Sequence, residues 1–323
     1  MKKKLYPFKF KPILKDKIWG GNKLKNILNK KSLTETIGES WELSDVDSDT
    51  SVVVNGGLKG ATIKELLDKY KSDIVGKKNY EVFGKKFPLL IKFIDAKEEL
   101  SIQLHPNDYL AKKRHNSFGK TEMWYVLQAD EDSKLIVGFN QEMNSEKYNQ
   151  HVKNKSLTDI LNFEKVKEGD TYFIEEGRVH AIGAGVMVAE IQQTSDITYR
   201  IYDWDRVDSK GDYRELHNDL ALEAINYNHD DKFRVQYSKQ KNISNTMVSC
   251  PYFTTNYLDL DSNYKITNTN DSFMIYMCVE GDVIINYNED VVKLKKGETV
   301  LIPATLTEFE IITNKAKLLE VFV

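Results

Sequence analysis

Two twelve-residue segments of the chain align without gaps: Gly169-Asp-Thr-Tyr-Phe-Ile-Glu-Glu-Gly-Arg-Val-His180 and Gly297-Glu-Thr-Val-Leu-Ile-Pro-Ala-Thr-Leu-Thr-Glu308. Each reads as turn, strand, turn. Upstream of each lies a similar strand pair, Glu122-Met-Trp-Tyr-Val-Leu-Gln-Ala-Asp130 and Phe273-Met-Ile-Tyr-Met-Cys-Val-Glu-Gly-Asp282. The repeat restricts the chain to folds that use one β unit twice. Its 323 residues exceed the usual single-domain size of about 100–200, which leaves room for both copies. A boundary is expected in the polar stretch 226–245, giving units 1–230 and 231–323.

Short β-rich runs recur at 50–54, 89–94, 123–127, 135–139, 171–174, 186–192, 197–201, 273–279, 283–287 and 299–303. Many of their residues are β-branched or aromatic, and Gly, Asn and Asp punctuate them, as in an all-β sandwich or barrel. Helical spacing is confined to 62–70, which follows a Thr cap, to 145–163 and to 214–226. The lysine-rich stretch 23–31 reads as a solvated helix face or loop.

Forty-six basic and 49 acidic residues are spread along the chain, for a net charge of -3. No basic stripe exists for counterion-releasing contacts, so nucleic acid is not an expected partner. Met1-Lys2-Lys3-Lys4 looks like the start of a signal peptide, but no apolar run of about 7–15 residues follows. No later segment approaches the roughly 18 uncharged residues of a membrane span. Cys250 and Cys278 are too few and too far apart for a disulfide framework or a thiolate metal site, and both are expected to be buried, reduced and inert. A cytoplasmic location is the expectation.

The copies differ where chemistry matters. Gln103 and His105 are two apart and point to one face of a strand. Glu122 opens the next strand-like run, and His180 follows the Gly177 turn. These four can meet one ion, whereas the second copy sets Phe273 opposite Glu122 and Glu308 opposite His180. The second copy is therefore expected to be structural. Two imidazoles, a carboxylate and an amide oxygen suit Zn²⁺ with an open coordination position, and iron or manganese accept the same set. His115, His151, His217 and His229 lie outside these motifs and are expected to be structural.

Gln103-x-His105, Glu122 and Gly169-x7-Gly177-x2-His180 resemble the cupin pattern with Gln in place of the first His. That replacement, with Leu100-Ser-Ile-Gln-Leu-His-Pro-Asn-Asp108, Lys120-Thr-Glu122, His180-Ala-Ile-Gly-Ala-Gly185 and Ser195-Asp-Ile-Thr-Tyr-Arg-Ile-Tyr-Asp-Trp-Asp-Arg206, resembles the short bacterial form of type I mannose-6-phosphate isomerases. Weaker similarity extends to Trp19-Gly20 and Glu39-Ser-Trp-Glu42. The resemblance implies a mainly β fold of two cupin (jelly-roll) barrels with a few decorating helices. The first barrel would hold one zinc ion per chain, and the second would be a degenerate barrel without a metal site.

The reaction so implied moves a proton between C1 and C2 of a hexose phosphate through an enediol. It needs an acid/base group, a stabiliser for the developing oxyanion and a phosphate anchor. By resemblance Arg200 is the active-site arginine, and its fixed charge suits an enediolate. Lys120 and Glu190 are alternatives for proton transfer, with Lys120 also able to bind phosphate. Ser101 is expected at the phosphate, with Lys120, Lys92 or Arg206 supplying charge. Trp19, Trp41 and Trp204 are either sugar contacts or core. Two other readings stand beside this one: a carbohydrate-binding cupin without turnover, and an iron-dependent cupin oxidoreductase. The expected partner is the hexose phosphate alone, bound to a monomer or weak homo-oligomer.

Overall fold

A computed structural model describes residues 4–46, 49–207, 210–230 and 232–323, so most of the basic Met1–Lys4 start lies outside the described residues. An antiparallel sheet runs in the order Ile13–Gly21, Ile37–Leu43, Leu89–Ala96, Val186–Gln193, Glu122–Ala129, Thr171–Ile174. A second sheet runs Tyr199–Tyr202, Ile102–Leu104, His180–Ile182, Lys134–Phe139, Leu161–Lys165. The two close over a core that takes Ile94, Trp124, Val126 and Val188 from the first and Leu135, Val137 and Ile182 from the second. Every residue of Leu89–Ala96 and Val186–Gln193 is buried, because these central strands are covered on both faces.

The outer face of the first sheet presents Leu89, Ile91, Phe93, Met123, Tyr125 and Ile191 to Ile275, Met277, Leu319 and Val321 of the C-terminal sheet. That sheet runs Asn245–Ser249, Thr254–Leu260, Ala316–Phe322, Met274–Tyr287, Glu308–Ile312, Tyr264–Thr267, with Asp290–Lys295 and Thr299–Ile302 also paired to Met274–Tyr287. The two runs expected at 273–279 and 283–287 are one strand of 14 residues. A register shift between Cys278 and Glu280 and a positive φ of 73° at Gly281 bend it, so that it serves both halves of the sheet. Its interior is apolar, with Leu258, Cys278, Ile285, Leu294, Phe309 and Leu318.

The repeat is structural as well as sequential. Thr171 pairs with Tyr125 and Ile174 with Glu122, while Thr299 pairs with Met277 and Ile302 with Met274. Gly169 and Gly297 open the paired turns at φ of 84° and 80°, a region glycine enters without steric cost. This register sets Met274, not Phe273, in the place of Glu122. The sequence alignment is one residue out there, and the ligand is lost either way.

Helices decorate the sheets. Ile63–Tyr70 starts from a capping box: Glu65 N–H donates to the Thr62 hydroxyl and Thr62 N–H to the Glu65 carboxylate, at 3.1 and 2.8 Å. Ile63, Leu66, Leu67 and Tyr70 form its buried face. Thr62→Ala is expected to cost about 1 kcal/mol of stability, read as a lower urea midpoint at unchanged slope.

The helix expected at 145–163 ends at Lys153. Lys155 turns at φ 55°, a short 3₁₀ turn covers Leu157–Ile160, and Leu161–Lys165 pairs with Lys134–Phe139. Sheet pairing overrides the helical spacing there. In 214–226 only Asn218–Ala224 is helical, and of 50–54 only Thr50 belongs to a strand, the two-residue Asp49–Thr50, while Val52 and Val53 form isolated bridges to Thr62 and Phe10.

The stretch 23–31 contains one short helix, Lys23–Asn26, and it is not wholly solvated. Leu24 and Leu28 are core residues, and Lys30 is buried against Glu42 at 2.6 Å while donating to the Gly297 carbonyl at 2.5 Å. Both cysteines are free, but Cys250 is only partly buried. Among the described residues no helix is long and apolar enough to cross a membrane.

Candidate active site

The facing sheets bring two rows of side chains together. Across the first sheet, Trp41 stands opposite Lys92, Lys92 opposite Glu190 and Glu190 opposite Trp124, with Glu122 one step along opposite Gln192. Across the second, Arg200 stands opposite Gln103 and Gln103 opposite His180. Strand alternation turns Glu122 and Trp124 inward while Met123 and Tyr125 pack outward.

His105, Glu122 and His180 are each about 1% exposed, and one ligand atom from each lies within 4.8 Å of the others. His105 Nε2 is 3.5 Å from Glu122 Oε2, and His180 Nε2 is 3.5 Å from Glu122 Oε1. The Nδ1 atoms face backbone carbonyls, of Ile197 for His105 and Arg178 for His180, each at 2.8 Å. With Nδ1–H donating to these carbonyls, each Nε2 keeps its lone pair. His105 Nε2 and Glu122 Oε1 have no hydrogen-bond partner, and Glu122 Oε2 faces the Lys120 ammonium at 3.1 Å.

Burial, then the charge of Lys120, holds His105 well below the ordinary imidazole range. Burial also lowers His180 to about 4, so both imidazoles are neutral and their approaches to Glu122 are not ion pairs. Burial, followed by the nearby Glu190, pushes the Glu122 carboxyl up to about 7. Two neutral nitrogen donors and an orphaned carboxylate converging in a dry site cost free energy that a divalent cation would relieve, so the residues fit a metal ion. Gln103 adjoins the set with its side-chain amide 3.5 Å from His180 Nε2, and a half-turn of that amide presents its oxygen instead.

Beside the cluster lies a cavity of about 300 Å³ lined by Gln103, His180, Lys120, Glu190, Lys92, Ser101 and Arg200 among others. Lys120 Nζ is 3.1 Å from Glu122 Oε2. Glu190 accepts from Trp124 Nε1 at 2.9 Å and pairs with Lys92 at 3.0 Å. Burial disfavours the Glu190 charge, but Lys92 and Lys120 outweigh it and hold the carboxyl below its usual range. Lys92 is likewise desolvated, yet Glu190 and Glu39 keep it protonated. With Glu39 4.0 Å away on its other side, Lys92 is not a free charge for a phosphate.

Arg200 donates from Nε to Ser101 Oγ at 3.3 Å and from Nη1 to the Glu215 carbonyl at 2.9 Å. Arg206, expected at the phosphate, does not line the cavity. Its donors go to the Glu99 carbonyl at 2.6 Å and to the Asp203 carboxylate at 2.8 Å. Trp19 and Trp41 do line the cavity, whereas Trp204 lies outside it and donates to the Leu100 carbonyl.

Sequence reasoning gave no site role to Glu39, Lys17 and Arg214, which also line the cavity. Glu39 and Trp41 are two apart on Ile37–Leu43 and so share its inner face, a spacing visible in the sequence. Burial raises the Glu39 carboxyl, but Lys92, Lys17 and Trp41 overcome this and bring it to about 2. The remaining histidines have other partners: His115 meets the Tyr199 hydroxyl, His151 meets Ser156, His217 accepts from Arg200 N–H and His229 meets the Phe139 carbonyl.

Residues 7–137 match the family described as phosphomannose isomerase type I, catalytic domain, and residues 243–323 match the mannose-6-phosphate isomerase cupin domain. The mannose-6-phosphate isomerase ManA of Bacillus subtilis is 34% identical over 308 residues, covering 94% of this chain and 95% of its own. The mannose-6-phosphate isomerase of Streptococcus mutans is 32% identical over 299 residues, 91% of each chain. The crystal structure of a Bacillus subtilis mannose 6-phosphate isomerase superposes with a TM-score of 0.90 at 32% identity, over 98% of this chain and 99% of that one.

Proposed function

The chain belongs to the type I phosphomannose isomerase family, and from that membership we propose that it interconverts mannose 6-phosphate and fructose 6-phosphate by proton transfer between C1 and C2. The observation that carries the reading is the buried His105–Glu122–His180 cluster beside a cavity lined by His180, Lys120, Glu190 and Arg200.

In this reading His105, Glu122, His180 and Gln103 hold Zn²⁺, which nitrogen and oxygen donors with an open position suit. When bound, the ion supplies Lewis-acid polarisation of the sugar oxygens. Glu190 is the carboxylate placed to take the C2 proton of the open-chain aldose. Lys92 and Trp124 keep it ionised and fix its direction. As the C2–H electrons form the C1–C2 double bond, charge develops on the C1 oxygen, and Arg200 stabilises it. Return of the proton to C1, with transfer of the O2 proton to O1, gives the ketose. Lys120 is placed to serve the proton transfers at oxygen. These roles belong to residues 1–230, with 231–323 packed behind the first sheet as support.

The test is turnover of mannose 6-phosphate in an assay coupled to fructose 6-phosphate, repeated after chelation and after zinc is restored. Turnover that disappears with the metal and returns with zinc is expected. A metal-loaded protein that binds the sugar phosphate without converting it would make the carbohydrate-binding alternative the better account.

A further inference from the structure

Asp203 gathers two guanidinium groups but sends only one of them to the cavity. Its carboxylate is 5% exposed and accepts from Arg206 Nη2 at 2.8 Å and from Arg214 Nε at 2.7 Å, with Arg214 Nη2 on the other oxygen. The two-pronged Arg214 contact fixes the plane of that guanidinium. Arg206 spends its remaining donors on the Asp203 and Glu99 carbonyls, whereas Arg214 lines the cavity beside Arg200. Arg200 and Arg214 are close enough that, after burial, Arg214 is the main influence lowering the Arg200 pKa.

Two arginines therefore hold one buried carboxylate and Arg200 stands near Arg214, so three guanidiniums face Asp203 and the Glu215 carboxylate, an excess of positive charge in a half-desolvated place. Such an excess is costly unless an anion arrives. The chain of contacts from the metal donors to this point is short. Ser101 Oγ lies 3.2 Å from Gln103 Oε1 and accepts from Arg200, and Arg214 lines the same cavity near Arg200. A ligand in this cavity that meets His180 and Gln103 also has Ser101, Arg200 and Arg214 along its walls.

We propose that Arg214 is the residue that seats the phosphate of the substrate, with Ser101 opposite it, and that Arg206 acts only by holding Asp203. The assignment rests on the isomerase reading for the identity of the substrate, while the anion seat itself rests on the geometry. It makes Arg214 a binding and specificity residue that separates phosphorylated from free hexoses.

The zinc-loaded full chain, its R214M, R214K and R206M variants, and two probes test this. The probes are inorganic phosphate, followed by calorimetry and as a competitive inhibitor, and mannose 6-phosphate, followed by turnover. R214M is expected to raise KM roughly 10- to 100-fold, the range for losing one charge-assisted contact, with a much smaller change in kcat. Phosphate binding should weaken by a similar factor, with metal content retained. R214K should recover part of both, and R206M should move neither as far as R214M does.

Phosphate affinity equal to wild type in R214M would overturn the proposal, as would an R206M effect as large as that of R214M. If wild type binds phosphate through Arg214 but does not convert mannose 6-phosphate, the seat stands and the isomerase reading fails. If wild type isomerises mannose 6-phosphate and R214M does so with unchanged KM, the seat fails alone.

Discussion

His180→Ala should lose metal and activity together, and His105→Ala should do the same. Each imidazole is neutral, carries its lone pair on Nε2 and is fixed by a backbone carbonyl at Nδ1, so nothing else in the site can replace the missing donor. Loss of a mere outer-shell partner costs metal sites about 10- to 100-fold in affinity, and loss of a direct donor should exceed this. The variant also leaves the Glu122 carboxylate buried beside a new cavity, which adds a folding penalty to the chemical one. Metal content after desalting, measured beside turnover, checks the prediction. A variant that keeps a full complement of metal would remove that histidine from the ligand set.

Arg200→Ala should behave in the opposite manner, with metal retained and turnover lost. Its guanidinium is half-buried and pre-aimed by Ser101 and the Glu215 carbonyl, so it stabilises developing charge without reorganising. Removing one such preorganised group costs about 10²–10³ in kcat, or roughly 2.7–4 kcal/mol. The loss should fall mainly on kcat, whereas the Arg214 variant loses mainly in KM, and that split separates the two arginines although they are neighbours. Turnover unchanged in Arg200→Ala would take the residue out of the reaction.

The sequence made much of the proposed metal-binding cluster legible because Gln103, Glu122 and His180 sit on strands and His105 directly follows one: Glu122 heads one strand and His180 follows the Gly177 turn. Strand periodicity then decides which way they face. It served less well where a loop decides. Arg206 lies within a recognisable motif and Arg214 outside it, yet the path from Asp203 to Arg214 sends only the second into the cavity. In the sequence Lys92 reads as a charge for the phosphate and not as the partner of Glu190, since cross-strand register is a non-local fact. The same limit placed Phe273 where Met274 stands. Phe163 followed a helical spacing that pairing with the Lys134–Phe139 strand overrode, leaving its side chain 44% exposed.

The buried Lys30 ammonium reaches from Glu42 on the first sheet to the carbonyl of Gly297 in the second copy of the repeat, and Phe8 pairs with Leu301 nearby. Separating the two barrels would strand that charge and strip the apolar face between them, so the second barrel is expected to melt together with the first. Binding at the histidines is thereby felt across the whole chain as cooperative unfolding. At a hundredfold excess over its dissociation constant, an ion held by the proposed four residues would add about 2.7 kcal/mol to the stability of both barrels together. The second barrel borrows its thermal resistance from chemistry it has lost.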